Sequence, residues 1–143
     1  MGALLVVDGE AKIRDMLFDL FENHHVCHLA QSAEQALGWL EARIEAYDVV
    51  LSDISLPGLS GLELLARIRQ SWPTLPVIII SIIDDKQHSG GLAKLGAFAH
   101  LAKPFRPEEV KETVIRAIKH HQRLQEENSH HTAPGGMDAV KVG

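Results

Sequence analysis

Long hydrophobic runs are absent from this 143-residue chain, and cysteine is nearly absent. The apolar run at residues 3–7 ends at Asp8, far short of the roughly 18 residues that a membrane span needs, and no basic region precedes it as in a signal peptide. Cys27 is the only cysteine, so no intramolecular disulfide can form. We therefore expect a cytoplasmic protein that works in a reducing compartment, without a membrane.

An excess of positive charge is also missing. Lys and Arg number 14 against 19 Asp and Glu, giving a formal net charge of −5, which argues against a surface for nucleic acid or anionic membranes. The length suits one domain with its own core. We predict a folded domain at residues 1–121. The apolar period fades after His121, so residues 122–143 are predicted to be a polar tail or linker with little fixed structure.

Five short apolar segments alternate with five helical patterns. The predicted strands cover residues 3–7, 26–29, 48–52, 77–80 and 97–102. Ser32 and Gln35 form a capping-box signature at the second helix. The fourth helix, at residues 84–95, is weak because Gly90 and Gly91 lie inside it. This alternation predicts an α/β fold, with a parallel sheet covered by helices on both faces.

Polar residues come after four of the predicted strands. Asp8 follows the first strand, Asp53 the third, Ser81 the fourth and Lys103 the fifth. In open parallel sheets, ligands and chemistry gather beyond the carboxyl ends of the strands. A carboxylate can attack phosphorus, a second carboxylate can help hold Mg²⁺, and a hydroxyl and an ammonium can bind phosphoryl oxygens. Taken alone, Asp53 could equally cap a loop or the next helix.

Five segments in this order resemble the receiver domain of two-component response regulators, from about residue 4 to residue 121. They are LLVVD at 4–8, DVVLSD at 48–53, LPGLSG at 56–61, PVIIIS at 76–81, and GA at 96–97 through KPF at 103–105. The resemblance implies a flavodoxin-like, three-layer α/β/α fold. Its five-stranded parallel sheet would have the order 2-1-3-4-5.

By this resemblance, Asp53 is the phosphoacceptor, taking its phosphoryl group from a sensor histidine kinase or a phosphotransfer protein. Lys103 would contact a phosphoryl oxygen, and a cis peptide would join it to Pro104. Ser81 would be the switch hydroxyl. His100 stands where the family usually has a rotating Tyr or Phe, and an imidazole can titrate near neutral pH.

The resemblance also implies a Mg²⁺ site made of Asp8, Asp53 and the backbone carbonyl of Ser55. The family usually has two adjacent acids after the first strand, whereas Gly9 follows Asp8 here. We expect weakened Mg²⁺ binding, with Glu10 as a candidate replacement ligand. A second departure is Ile82 after Ser81, where the family prefers Ala or Gly and where a branched side chain could narrow access to Asp53.

The implied role is signalling in a phosphorelay rather than enzymatic turnover, with at most self-catalysed phosphotransfer and dephosphorylation. The phosphorylated domain would act on a downstream effector protein or on an output domain missing from this chain. A homodimer would use the face formed by helix four, strand five and helix five. No nucleic acid or membrane is expected to bind this chain.

The sequence leaves alternatives to this function. A phosphorylation-independent receiver, acting as a constitutive interaction module, is favoured by Gly9 and Ile82. The nine histidines invite a metal hypothesis, but their adjacent pairs do not face one site on a helix, so we expect solvated surface. A flavin mononucleotide protein would need a phosphate-cradling loop, which is not found. A DNA-binding regulator would need an output domain.

Overall fold

Five parallel strands form the centre of the structure, a computed structural model that describes residues 2–82 and 91–132, with side chains through residue 127. The strands are β1 (Ala3–Val7), β2 (Val26–Ala30), β3 (Val49–Asp53), β4 (Val77–Ser81) and β5 (Ala99–Ala102). Their order in the sheet is β2-β1-β3-β4-β5, and every neighbouring pair is parallel. The predicted strand order is confirmed, although β5 begins two residues later than residue 97.

Helices connect the strands. They are α1 (Ala11–Phe21), α2 (Ala33–Ala42), α3 (Gly61–Ser71), α4, whose described residues are 91–94, and α5 (Pro107–Thr132). The predicted cap of α2 is confirmed, because Ser32 Oγ accepts a hydrogen bond from Gln35 N at 3.1 Å. Most of the helix predicted at residues 84–95, including Gly90, lies outside the described residues.

Two hydrophobic cores cover the two faces of the sheet. Because side chains alternate along a strand, a continuous apolar run supplies both cores at once. On one face, Leu5, Val50 and Ile79 pack with residues of α2, α3 and α4. On the other, Leu4 and Leu51 pack with residues of α1 and α5. The sheet therefore lies between helical layers, as predicted.

The last helix is longer than predicted. We expected little fixed structure from residue 122, but α5 continues to Thr132, so that prediction is wrong for residues 122–132. His121 Nδ1 lies 2.9 Å from Asp48 Oδ1, and Gln125 Nε2 lies 3.0 Å from His121 Nε2. Gln125 also approaches Thr74 Oγ1 at 3.5 Å. In this part of α5, polar contacts hold the helix in place of apolar ones. The hydrophobic period of the sequence therefore fades although the helix continues. Residues 133–143 lie outside the described residues.

The Asp48 carboxylate fastens α5 to the edge of the sheet where the strands begin. Its Oδ2 accepts a hydrogen bond from Ala3 N at 3.0 Å while its Oδ1 meets His121. One side chain thus joins β1, the start of β3 and the last helix. Within residues 2–82 and 91–132, no helix is long and apolar enough to cross a membrane.

We predict that His121→Ala lowers the free energy of unfolding by about 1–3 kcal/mol, because it leaves a partly buried carboxylate without its partner. His24→Ala is the matched control, since His24 is exposed and its replacement should change stability by less than about 0.5 kcal/mol. Urea denaturation of both variants measures the difference. Equal midpoints for the two variants would contradict the anchoring role of His121.

Candidate functional site

The ammonium of Lys103 lies between two carboxylates at the carboxyl edge of the sheet. Its Nζ is 3.2 Å from Asp8 Oδ2 and 3.1 Å from Asp53 Oδ2. The Glu10 carboxylate is farther away, at 3.8 Å, on a side chain that is 70% exposed. Three residues that the sequence placed after separate strands therefore meet at one point.

The turn after β1 holds Asp8 rigidly. Asp8 is 1% exposed, and its Oδ1 accepts a hydrogen bond from Glu10 N at 2.9 Å. Asp8 N donates to Ala30 O at 3.1 Å, and Arg14 Nη1 donates to the Asp8 carbonyl at 2.7 Å. Sequence reasoning missed Arg14. The available signal was a basic residue near the start of a helix, where the helix dipole disfavours positive charge.

Burial shapes the protonation of this site. Desolvation raises the pKa of Asp8, and the Glu10 amide and the Lys103 charge only partly offset it. Desolvation acts to lower the pKa of Lys103, but the hydrogen bond to Asp53 and the charges of Asp8 and Asp53 together raise it. Lys103 is therefore a charged ammonium that contacts both acids and offsets part of their negative charge.

The turn after β3 orients Asp53. Its Oδ1 accepts a hydrogen bond from Ser55 N at 3.2 Å, while its Oδ2 faces Lys103. α3 begins close behind, where Ser60 Oγ accepts from Glu63 N at 3.1 Å. A side chain at Gly61 would collide with the Asp53 carbonyl, so glycine allows the helix to start against the strand end. The Asp53 side chain keeps 12% of its surface exposed.

Ser81 lies one position beyond Ile80, the residue that pairs with Asp53 between β3 and β4. It is 1% exposed, and its carbonyl accepts a hydrogen bond from Lys103 N at 2.7 Å. The Lys103–Pro104 peptide is cis, as the resemblance implied. Ile82 is 77% exposed, so most of its side chain lies in solvent and does not form a packed obstruction.

His100 lies on β5, two positions before the residue opposite Ser81. It is half-buried and lines a groove between β5 and α5 together with Arg106, Glu109 and Arg116. It is therefore separate from the charged cluster of Asp8, Asp53 and Lys103. Its strand, β5, is the sheet neighbour of β4, which ends at Ser81.

The donor set of this site fits a magnesium ion that keeps some non-protein ligands. Asp8 and Asp53 supply carboxylate oxygens, the hard donors that Mg²⁺ prefers, and one oxygen of each carboxylate forms an ion pair with Lys103. Gly9 contributes no side-chain oxygen. In the part of the chain that the structure describes, no group of three His, Cys, Asp or Glu side chains could hold a metal. Mg²⁺ commonly binds through one or two carboxylates, with water and phosphate oxygens completing its shell.

Comparisons with known proteins identify similar domains. Residues 4–115 match the response regulator receiver domain family. The chain is 36% identical over 126 residues to the DNA-binding transcriptional regulator NtrC of Salmonella typhimurium, covering 87% of this chain and 26% of that protein. It is 30% identical over 129 residues to the transcriptional regulatory protein CiaR of Streptococcus pneumoniae, covering 88% of this chain and 55% of that protein. The chain thus spans about a quarter of the length of its NtrC relatives.

Solved structures show the same fold. A response regulator receiver domain protein from Clostridium thermocellum superimposes with a TM-score of 0.80 at 28% identity, covering 87% of this chain and 99% of that one. NtrX from Brucella abortus superimposes with a TM-score of 0.82 at 28% identity, covering 96% of this chain and 31% of that one.

We predict that Asp8→Asn stabilises the fold. A raised pKa means that ionised Asp8 costs folding free energy, and this cost is fully present above the native pKa. As pH falls through that pKa towards the ordinary value of 3.8, wild-type Asp8 takes up a proton and the cost disappears. Urea midpoints should therefore be higher for Asp8→Asn at neutral pH, and the gap should close in acid. Exposed Asp15→Asn is the control, and a lower midpoint for Asp8→Asn at neutral pH would refute the prediction.

Proposed function

Because the chain belongs to the receiver domain family of two-component response regulators, we propose that Asp53 is its phosphoacceptor. Phosphorylation-dependent switching is the standard function of this family, which is a signalling family and not a family of catalytic enzymes. The observation that carries the assignment is the contact of Lys103 Nζ with Asp53 Oδ2 at 3.1 Å. It sets a fixed positive charge beside a carboxylate at the carboxyl edge of the sheet.

Phosphotransfer balances without any other reactant. An Asp53 carboxylate oxygen bonds to phosphorus as the bond from phosphorus to the donor's histidine nitrogen breaks. The electron pair of that bond stays with the imidazole, which leaves neutral because its other ring nitrogen is protonated. Lys103 keeps its proton throughout, and its ammonium stabilises the charge on the phosphoryl oxygens.

The proposed metal ligands are Asp8, Asp53 and the Ser55 backbone carbonyl, with Glu10 as a candidate fourth. A bound Mg²⁺ would supply positive charge for the phosphoryl oxygens. The chain itself holds Asp8 in place through the Glu10 amide, and it holds Asp53 through the Ser55 amide. These two contacts fix both carboxylates before any ligand arrives.

Ser81 and His100 are the proposed switch residues. Ser81 ends the strand next to Asp53, so its hydroxyl needs only a local movement to reach a phosphoryl group there. His100 lies on the adjacent strand and lines the groove against α5. The Ser81 carbonyl already bonds to Lys103 N, which links a movement at Ser81 to the start of the segment that leads into α5.

The proposed partners are those that this chemistry requires. A sensor histidine kinase or phosphotransfer protein donates the phosphoryl group, which places the chain in the cytoplasm. The recipient of the signal is an effector protein or an output domain, since the NtrC relatives are about four times longer than the matched region. A homodimer through α4, β5 and α5 is the proposed arrangement of the phosphorylated form.

A second candidate is a receiver that works without phosphorylation. Gly9 favours it, because the site has one acid fewer than the family usually has, and Lys103 already forms ion pairs with the two that remain. In that case the domain would be a constitutive interaction module. Labelling with a small phosphodonor separates the two candidates.

We predict that acetyl phosphate adds one phosphoryl group to the wild-type chain and none to Asp53→Asn, as read by intact mass spectrometry. Asp19→Asn is the control, because Asp19 is exposed on α1 and should label like the wild type. Labelling of Asp53→Asn would show that another residue is the phosphoacceptor. An unlabelled wild type, with and without Mg²⁺, would favour the constitutive module.

Restoring the second acid should tighten Mg²⁺ binding by on the order of tenfold, because affinity rises with ligand charge. A side chain at Gly9 would meet Pro57 Cδ at 3.3 Å, so Gly9→Asp needs only a slight adjustment of Pro57. Gly9→Asn is the control of the same shape without the charge. Isothermal titration calorimetry measures all three proteins. Equal affinities for wild type and Gly9→Asp would show that Glu10 already supplies the missing ligand.

A further inference from the structure

Arg69, near the end of α3, is a half-buried cation without an acidic partner in the part of the chain that the structure describes. Its Nη2 donates to Trp72 O at 3.3 Å, and its Nε is buried without a hydrogen-bond partner. Burial lowers the pKa of its guanidinium. Charged side chains are rarely buried unless they are paired.

The fold holds Arg69 in this position. Its aliphatic stem lies against Gly96, where an added Cβ would come within 2.6 Å of Arg69 Cδ. Gly96 also has φ +98°, a conformation that favours glycine. The absence of a side chain at Gly96, between α4 and β5, therefore leaves room for the Arg69 side chain.

Arg69 lines a groove of about 290 Å³, which we call the Arg69 groove. Its walls come from the end of α3, the segments before β4 and β5, and α5, and they include Pro76, Phe98, His120 and Leu124. The rings of Phe98 and His120 lie 5.4 Å apart. None of the described residues that line this groove carries a carboxylate, in a chain whose net charge is −5.

We propose that the Arg69 groove binds an acidic side chain, Asp or Glu, from a segment of a partner protein. A carboxylate matches the planar guanidinium with two parallel hydrogen bonds and supplies the missing counter-charge. The apolar walls would contact the methylene groups beside that carboxylate and the residues flanking it, which a free inorganic anion lacks. The groove lies at the end of α3, away from its start behind Asp53, so this inference goes beyond phosphotransfer.

The first test is an NMR titration of the folded chain with N-acetyl-glutamate amide, a probe for the acidic side chain. The Arg69 Nε–Hε and Phe98 signals should shift and saturate. N-acetyl-glutamine amide, the uncharged probe of the same shape, should leave them unmoved. The shifts of Phe98 should vanish in Arg69→Met and persist in Arg67→Met, the control at an exposed position on the same helix.

A third titration uses inorganic phosphate. If phosphate moves the same signals as strongly as the glutamate probe, the groove is a general anion site and the assignment to a protein side chain is overturned. The absence of any shift with the glutamate probe overturns the proposal altogether.

The second test measures stability without a ligand. Met keeps a long apolar stem against Gly96 but removes the uncompensated charge, so Arg69→Met should leave the urea midpoint unchanged or raise it. Arg67→Met should leave it unchanged. A clear drop for Arg69→Met alone would show that contacts within the chain, such as the hydrogen bond to Trp72 O, already satisfy the guanidinium, and the proposal would be overturned.

Discussion

The carboxyl edge of the sheet depends on the ion pairs that the Lys103 ammonium forms with Asp8 and Asp53. Two carboxylates approach the same point, one of them 1% exposed, and without a cation they would repel each other in a poorly solvated site. Burial still raises the pKa of Asp8 despite the ammonium. The site is therefore assembled at a cost to stability, and a functional reason is needed to explain why the fold keeps it.

The elements around this site could be predicted from the sequence because their signals are local. A β-branched run such as residues 77–80 predicts a buried strand, and parallel strands bring the residues just beyond their carboxyl ends to one edge of the sheet. This argument alone predicts that Asp8, Asp53 and Lys103 lie close together. The strand order needed the family resemblance, because no local rule decides which strands are neighbours. The roles proposed for Ser81 and His100 also rest on that resemblance.

The features that sequence reasoning missed depend on contacts between distant parts of the chain. The continuation of α5 relies on His121 meeting Asp48, 73 positions away, and its polar residues carry no hydrophobic period. Arg67 and Arg69 look alike in the sequence, two positions apart on one helix. Only the packing of Arg69 over Gly96 separates a solvated cation from a half-buried one. Such differences arise from tertiary packing, which helix propensity and residue spacing do not predict.

α5 runs from the edge of the sheet where the strands end towards the edge where they begin. Its first turn and its middle are held by different contacts. It begins four residues after Lys103, so only a short segment separates the charged cluster from its first turn. Its later turns are tied to Asp48, which also holds the start of β1 through Ala3. We therefore expect phosphorylation of Asp53, the proposed phosphoacceptor, to tilt the first turns of α5 rather than to slide the whole helix, because the middle of α5 is tied to Asp48 through His121. The groove that includes His100 lies beside that beginning, where such a tilt would change its shape most.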